Sequence, residues 1–132
     1  SLYGSDLTFV SPKSLKMPRE VINECKSLGA TPTSTTKLEK ALKNADVLYV
    51  TRIQKERFPD LEEYNRVVGT YQITIESLEQ VKEDMIIMHP LPRVTEIDPA
   101  VDQTNHAVYF QQAFNGVPIR MALLSLVSGV KL

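Results

Sequence analysis

The chain has 132 residues, 42% hydrophobic and 23% charged, enough for one core and too short for two. A formal charge of -1, with Lys and Arg scattered among acids, leaves no basic face for a phosphate backbone and excludes nucleic acid as a partner. No apolar run reaches the roughly 20 residues of a membrane span, Ser1 to Val10 lacks the order of a signal peptide, and the single cysteine, Cys25, has no internal partner. One domain in the reducing cytoplasm, away from membranes, is the expectation.

Along the chain, short β-rich runs alternate with helical stretches, the pattern of a parallel sheet wound with helices. Leu7 to Val10 predicts a strand. Pro18 to Leu28 predicts a helix with Val21, Ile22, Cys25 and Leu28 on its buried face and Gly29 as its stop. Thr36 to Glu39 has the capping-box form, opening a short helix that buries Leu38, Ala41, Leu42 and Ala45. Val47 to Val50 and Met85 to Met88 are continuous apolar runs, as interior strands covered on both faces require. Between them, Pro59 to Val68 and Thr74 to Lys82 predict two helices, the second capped by Thr74. Asn115-Gly116 predicts a helix break, with Pro118 opening a final helix that is apolar nearly all round.

In open parallel sheets, ligands bind beyond the carboxyl ends of the strands. The segments there are Thr51 to Arg57 and His89 to Arg93. An arginine offers a planar fork for a carboxylate, Gln54 adds a neutral donor and acceptor, and Lys55 and Arg57 add positive potential, so a small anion is the natural ligand. The Pro90-Leu91-Pro92 turn is stiff and presents carbonyl oxygens suited to a ligand with N–H groups. Arg52, Lys55, Glu56 and Arg57 are equally compatible with a solvated charge cluster. His89 is either a catalytic acid or base or a buried structural group, and His106 is structural or exposed. No glycine-rich phosphate loop, nucleophile constellation or paired-His zinc motif occurs, so neither a cofactor nor a metal is expected.

The segments TRIQKERF (51–58), MHPLPRVTEID (88–98) and NHAVYFQQAFNGVPIRMALLSLV (105–127) resemble, in this order, signatures of the aspartate transcarbamoylase family. The resemblance implies a Rossmann-like α/β domain, with helices on both faces of a parallel sheet. It also implies a cytoplasmic homotrimer of pyrimidine biosynthesis that transfers the carbamoyl group of carbamoyl phosphate to L-aspartate. Matched by motif, Arg52 grips the side-chain carboxylate of aspartate and Gln54 helps place it. Pro90 and Leu91 offer backbone carbonyls to the carbamoyl amide and the attacking amine. Lys55, Glu56 and Arg57, with Glu63 and Tyr64, resemble the loop that rearranges on domain closure. Ornithine transcarbamoylases instead resemble His-Cys-Leu-Pro at 89–92.

The family's Ser-Thr-Arg-Thr, His-Pro-Thr-Gln and Arg-Thr-Val-His segments, which complete the site, do not occur here. The expectation is therefore an aspartate-binding domain over 1–132 that lacks the carbamoyl-phosphate half and the first, central strand of its own sheet. Alone it should be inactive. Its partners would be the missing half or other catalytic chains, with a regulatory subunit also possible in the family. The alternative is a non-catalytic Rossmann-like binding or scaffold module.

Overall fold

A computed structural model of the chain describes residues 4–55, 58 and 60–129, the side chain of Glu63 excepted. It consists of two compact units, Ser1–Asn44 and Ala45–Leu132.

In the first unit, β1 (Thr8–Val10) and β2 (Thr33–Thr35) pair in parallel, Thr8 opposite Thr33 and Val10 opposite Thr35. Parallel strands need a crossover between them, and α1 (Arg19–Ser27) supplies it. Gly29, at φ 82, ends α1 in the left-handed conformation that glycine adopts without steric penalty, while the Gly29 and Ala30 amides donate to the Lys26 and Cys25 carbonyls. The expected face of α1 is only partly covered: Ile22 and Cys25 are half-buried, whereas Val21 and Leu28 are exposed. α2 (Leu38–Leu42) buries Leu38 and Leu42. Its expected Thr36 cap is corrected: the N-cap position is Lys37, without a side-chain cap, and the Thr35 hydroxyl accepts the Lys37 amide in a turn just ahead of the helix.

The second unit holds β3 (Val47–Tyr49), α3 (Leu61–Val68), β4 (Ile86–Met88) and α4 (Tyr109–Val127). β3 and β4 pair in parallel, Val47 opposite Ile86 and Tyr49 opposite Met88. On its other edge, Ile87 donates to the His106 carbonyl at 2.7 Å and accepts from Val108 at 3.2 Å, so β4 is bonded on both sides. A second short bridge joins Ile73 to Ile97. Ile73, Met85, Ile87, Ile97, Val101 and Tyr109 form the core, and complete burial of an aliphatic side chain is worth about 1.5 to 3 kcal/mol.

Three expectations for this unit are corrected. β3 is not covered on both faces: Val47 is 52% and Tyr49 54% exposed, since every second side chain of a strand faces one way and no layer of described residues covers that face. The Thr74 to Lys82 helix is a single 3-10 turn, Glu76–Leu78, with no side-chain cap. There the Ser77 hydroxyl accepts the Thr74 amide and donates to the Thr74 carbonyl, diverting the backbone groups on which a longer helix would build. The break at Asn115-Gly116 does not occur, and α4 runs through both Gly116 and Pro118. Gln111 donates to the Asn115 side chain one turn on, and the Arg120 guanidinium lies over Gly116 where a Cβ would stand 2.5 Å from it. Among the described residues no helix is long and apolar enough to cross a membrane.

Candidate binding site at the carboxyl ends of paired strands

The register of β3 and β4 sets two chain segments side by side. Val50 donates to the Met88 carbonyl at 2.9 Å, so Thr51 onward and His89 onward leave the pair at the same end. Between them is a cavity of about 190 Å³, lined by Arg52, Ile53 and Lys55 after β3, by Tyr64 and Val68 of α3, and by Val94, Thr95 and Glu96 after β4. Tyr64 is steadied by an edge-on contact with Phe58, ring centres 5.6 Å apart.

The Arg52 side chain makes no hydrogen bond or ion pair with any described residue, and neither does the Lys55 ammonium, although the Lys55 carbonyl accepts the Phe58 amide at 3.1 Å. Two unengaged cations therefore share the cavity with one carboxylate, Glu96, which is already engaged by the protein. That arrangement suits a small anion, and the Arg52 fork matches a carboxylate. Gln54, Pro90 and Leu91, singled out from sequence, do not line this cavity. Glu56 and Arg57 lie outside the described residues, as does the side chain of Glu63.

The second arginine is not available to a ligand. Arg93 donates to both oxygens of Asp102 and, at 3.0 Å, to the Tyr109 hydroxyl, which itself donates to Asp102. Its guanidinium also lies 5.5 Å from the Tyr109 ring centre and 5.8 Å from that of Phe110, within cation–π range. The bond to Asp102 raises the Arg93 pKa, and the bond from Arg93 lowers that of Asp102. Burial, followed by the Asp102 carboxylate, pushes the Tyr109 hydroxyl up to about 12. This cluster fixes the end of the turn to the start of α4.

His89, 1% exposed, is a structural group, which resolves the two alternatives left by the sequence. Its Nδ1 accepts the Leu91 amide at 2.8 Å, its Nε2 lies 2.8 Å from Glu96 Oε1, and its own amide donates to Gln112 Oε1 at 2.9 Å. Glu96 Oε2 accepts the Val94 and Thr95 amides at 3.1 and 3.0 Å. Burial pushes the Glu96 carboxyl up, but hydrogen bonds from backbone amides and from His89 outweigh it and its pKa is lowered. His106 is likewise occupied, its Nδ1 donating to the Met85 carbonyl at 2.7 Å. With both ring nitrogens engaged, His89 has no free atom to act as acid or base.

Glu96, Gln112, Asp102 and Tyr109 were not singled out from sequence. The available signal was a histidine and a glutamate within one short segment, each beside an aliphatic or thioether neighbour, Met88 and Ile97. Among the described residues no group of three or more His, Cys, Asp or Glu is placed to hold a metal ion.

Comparison with known proteins bears on what this cavity holds. The family described as "Aspartate/ornithine carbamoyltransferase, Asp/Orn binding domain" matches residues 1–127. The aspartate carbamoyltransferase catalytic subunit of Methanocella arvoryzae is 62% identical over 130 residues, 98% of this chain and 42% of that subunit. The corresponding subunit of Thermococcus kodakarensis is 53% identical over the same shares. Among solved structures, the catalytic subunit of M. jannaschii aspartate transcarbamoylase matches with a TM-score of 0.85 at 47% identity, covering 94% of this chain and 40% of that one. The Trypanosoma cruzi aspartate transcarbamoylase in complex with carbamoyl phosphate and aspartate matches with a TM-score of 0.78 at 35% identity, covering 90% and 40%. The chain thus spans about 42% of the length of the curated relatives it matches. With residues 1–127 matched and identity above one half, the chain belongs to the aspartate/ornithine carbamoyltransferase family, by way of its Asp/Orn binding domain.

Proposed function

We propose that the chain is the aspartate-binding part of an aspartate carbamoyltransferase, transferring the carbamoyl group of carbamoyl phosphate to the amine of L-aspartate in pyrimidine biosynthesis. The observation that carries this reading is the unengaged Arg52 fork in a cavity beside Lys55, at the carboxyl ends of paired parallel strands, in a chain so similar to aspartate carbamoyltransferase subunits. Arg52 grips the side-chain carboxylate of aspartate and Gln54 assists. The Pro90 and Leu91 carbonyls accept hydrogen bonds from the carbamoyl amide and the attacking amine. Lys55, Glu56, Arg57, Glu63 and Tyr64 form the loop that closes over the bound substrates. The amine attacks the carbamoyl carbonyl, and phosphate leaves with the bonding electrons and takes up the proton the amine loses, so no protein nucleophile is needed, and the protein contributes positioning and charge. No cofactor takes part.

The whole 1–132 is one Rossmann-like domain in this reading, and it works only with the carbamoyl-phosphate part of a catalytic subunit, within a cytoplasmic homotrimer that a regulatory subunit can join. The exposed apolar side chains of α4, Leu123, Leu126 and Val127 among them, support a partner on that helix; Val130, expected in the same strip, lies outside the described residues. The test is carbamoyl aspartate formation by the chain alone and after complementation with the part of the Methanocella arvoryzae subunit that it does not match. The expected result is turnover only in the complemented enzyme, with Arg52→Ala raising the aspartate KM. Turnover by the chain alone, or unchanged aspartate kinetics in Arg52→Ala, would overturn the reading.

A further inference from the structure

The segment from His89 to Glu96 closes on itself. Its buried ring and buried carboxylate bind each other, and together they hold the amides of Leu91, Val94 and Thr95. The direction of every hydrogen bond in this ring is forced. A backbone N–H can only donate, so His89 Nδ1, which faces the Leu91 amide, carries no proton. Glu96 Oε2 accepts from two amides and the lowered pKa of the group keeps it ionised, so its Oε1 accepts as well. The proton of the His89 ring is therefore on Nε2, donated to Glu96.

The consequence lies in the peptide that His89 holds. The Pro90–Leu91 peptide is trans, and in a trans peptide the N–H and C=O point in opposite directions across one rigid plane. Pinning the Leu91 N–H onto a buried ring thus turns the Pro90 carbonyl away from that ring, on the exposed Pro90 side of the turn. Leu91 itself sits at φ 50, a left-handed conformation that a leucine rarely adopts and that needs such a restraint.

We propose that His89 is a positioning residue, locked by Glu96 as its Nε2–H tautomer so that it aims the Pro90 carbonyl at the ligand. The identity of that ligand, the carbamoyl amide, rests on the aspartate carbamoyltransferase reading; the tautomer and the restraint do not. Glu96 is the second member of the device. Glu96→Gln keeps its shape but turns one acceptor into a donor, so whichever way the amide turns, an N–H meets an N–H, either at Leu91 by way of the His89 ring or at Val94 and Thr95.

Two histidine substitutions separate positioning from plain stability. His89→Asn places an acceptor where Nδ1 stands and keeps the hold on the Leu91 amide, while giving up the bond to Glu96. His89→Gln keeps a donor toward Glu96 and gives up the hold on Leu91. In the complemented enzyme, His89→Gln and Glu96→Gln should lower kcat on the order of 100-fold, the cost of misplacing a group by about 1 Å, with little change in aspartate KM. His89→Asn should cost less than about tenfold, the worth of one hydrogen bond. Equal losses in the two histidine variants, or losses that follow melting temperature alone, would overturn the proposal while leaving the aspartate reading intact. An unchanged Arg52→Ala enzyme would do the reverse.

A direct measurement on the unaltered chain needs neither activity nor a variant that folds. In long-range proton–nitrogen correlation spectra of the ring nitrogens, His89 should carry its proton on Nε2. His106, which donates from Nδ1 to the Met85 carbonyl, should show the opposite tautomer and serves as the internal reference. A His89 ring protonated at Nδ1, or at both nitrogens, would overturn the proposal.

Discussion

The turn from His89 to Glu96 and the helix α4 treat burial in opposite ways. In the turn, an imidazole and a carboxylate are 1% and 5% exposed, and every polar atom named there has a partner. In α4, Leu124 and Val127 are 69% and 88% exposed, although apolar surface of that extent ordinarily marks a contact. Polar groups tolerate burial when their hydrogen bonds are complete, and a contiguous apolar strip left exposed is the mark of a contact surface. The frame of the site is thus self-contained, whereas the helix beside it leaves its apolar side chains without a cover among the described residues.

The largest test of this contrast removes one member of the frame. Glu96→Ala leaves the His89 Nε2–H and two backbone amides without an acceptor, and loss of one partner of a buried pair costs about 3 to 5 kcal/mol. Urea unfolding followed by circular dichroism should register that loss; a change under about 1 kcal/mol would mean that the ring is not closed in solution.

Acid should undo the same frame more gradually. The folded-state pKa of Glu96 lies below the ordinary 4.5 and that of Asp102 below the ordinary 3.8. Groups with lowered pKa contribute stability that is present above the unfolded value and lost as pH falls through the folded one. Melting temperature should therefore hold at neutral pH and decline from about pH 4.5 downward, and Glu96→Gln should flatten the upper part of that decline. A decline of the same shape in Glu96→Gln would assign the acid response to other carboxylates.

The smallest effect is expected on α4. Leu124→Glu and Leu126→Glu replace side chains that are 69% and 62% exposed, so each should change the stability of the chain by less than about 0.5 kcal/mol while reducing self-association in sedimentation. A loss comparable with that of Glu96→Ala would place these leucines in a core of the chain itself.

How much of this was legible in sequence follows the range of the forces involved. β3, β4, α1 and α3 were read from apolar runs and helical spacing, because burial writes a periodic pattern into adjacent residues. β2 was missed, since Thr33-Ser34-Thr35 has no apolar alternation and is fixed by pairing with residues 25 positions away, including the contact between the Thr8 and Thr33 hydroxyls. α4 was read as two helices because Gly116 and Pro118 are both helix breakers in isolation. Its 19 residues continue past the one hydrogen bond that proline cannot make. In the site, Arg52 and Lys55 were legible as charged residues beyond a strand end, and Tyr64 only through the family resemblance. The partners that hold the turn were not. Asp102 and Tyr109 bond to Arg93 from 9 and 16 positions away, and Gln112 to His89 from 23, at spacings that obey no secondary-structure period.

The hydrogen-bonded ring also decides where the chain can vary in length. His89 and Glu96 are seven positions apart, so a residue inserted between them changes the circumference of a closed loop whose contacts are all specified. Val47 and Ile86 are paired across 39 positions, and there the cost of closing the loop rises only by about 0.6 kcal/mol for each doubling of its length. Length changes between the Ile73 bridge and β4, in the stretch from Glu79 to Asp84, are then nearly neutral for bringing Arg52 beside the turn, while the eight residues of the turn admit none. A one-residue insertion between His89 and Glu96 should therefore cost far more in stability than a one-residue insertion between Glu79 and Asp84, a difference that urea unfolding of the two variants would measure.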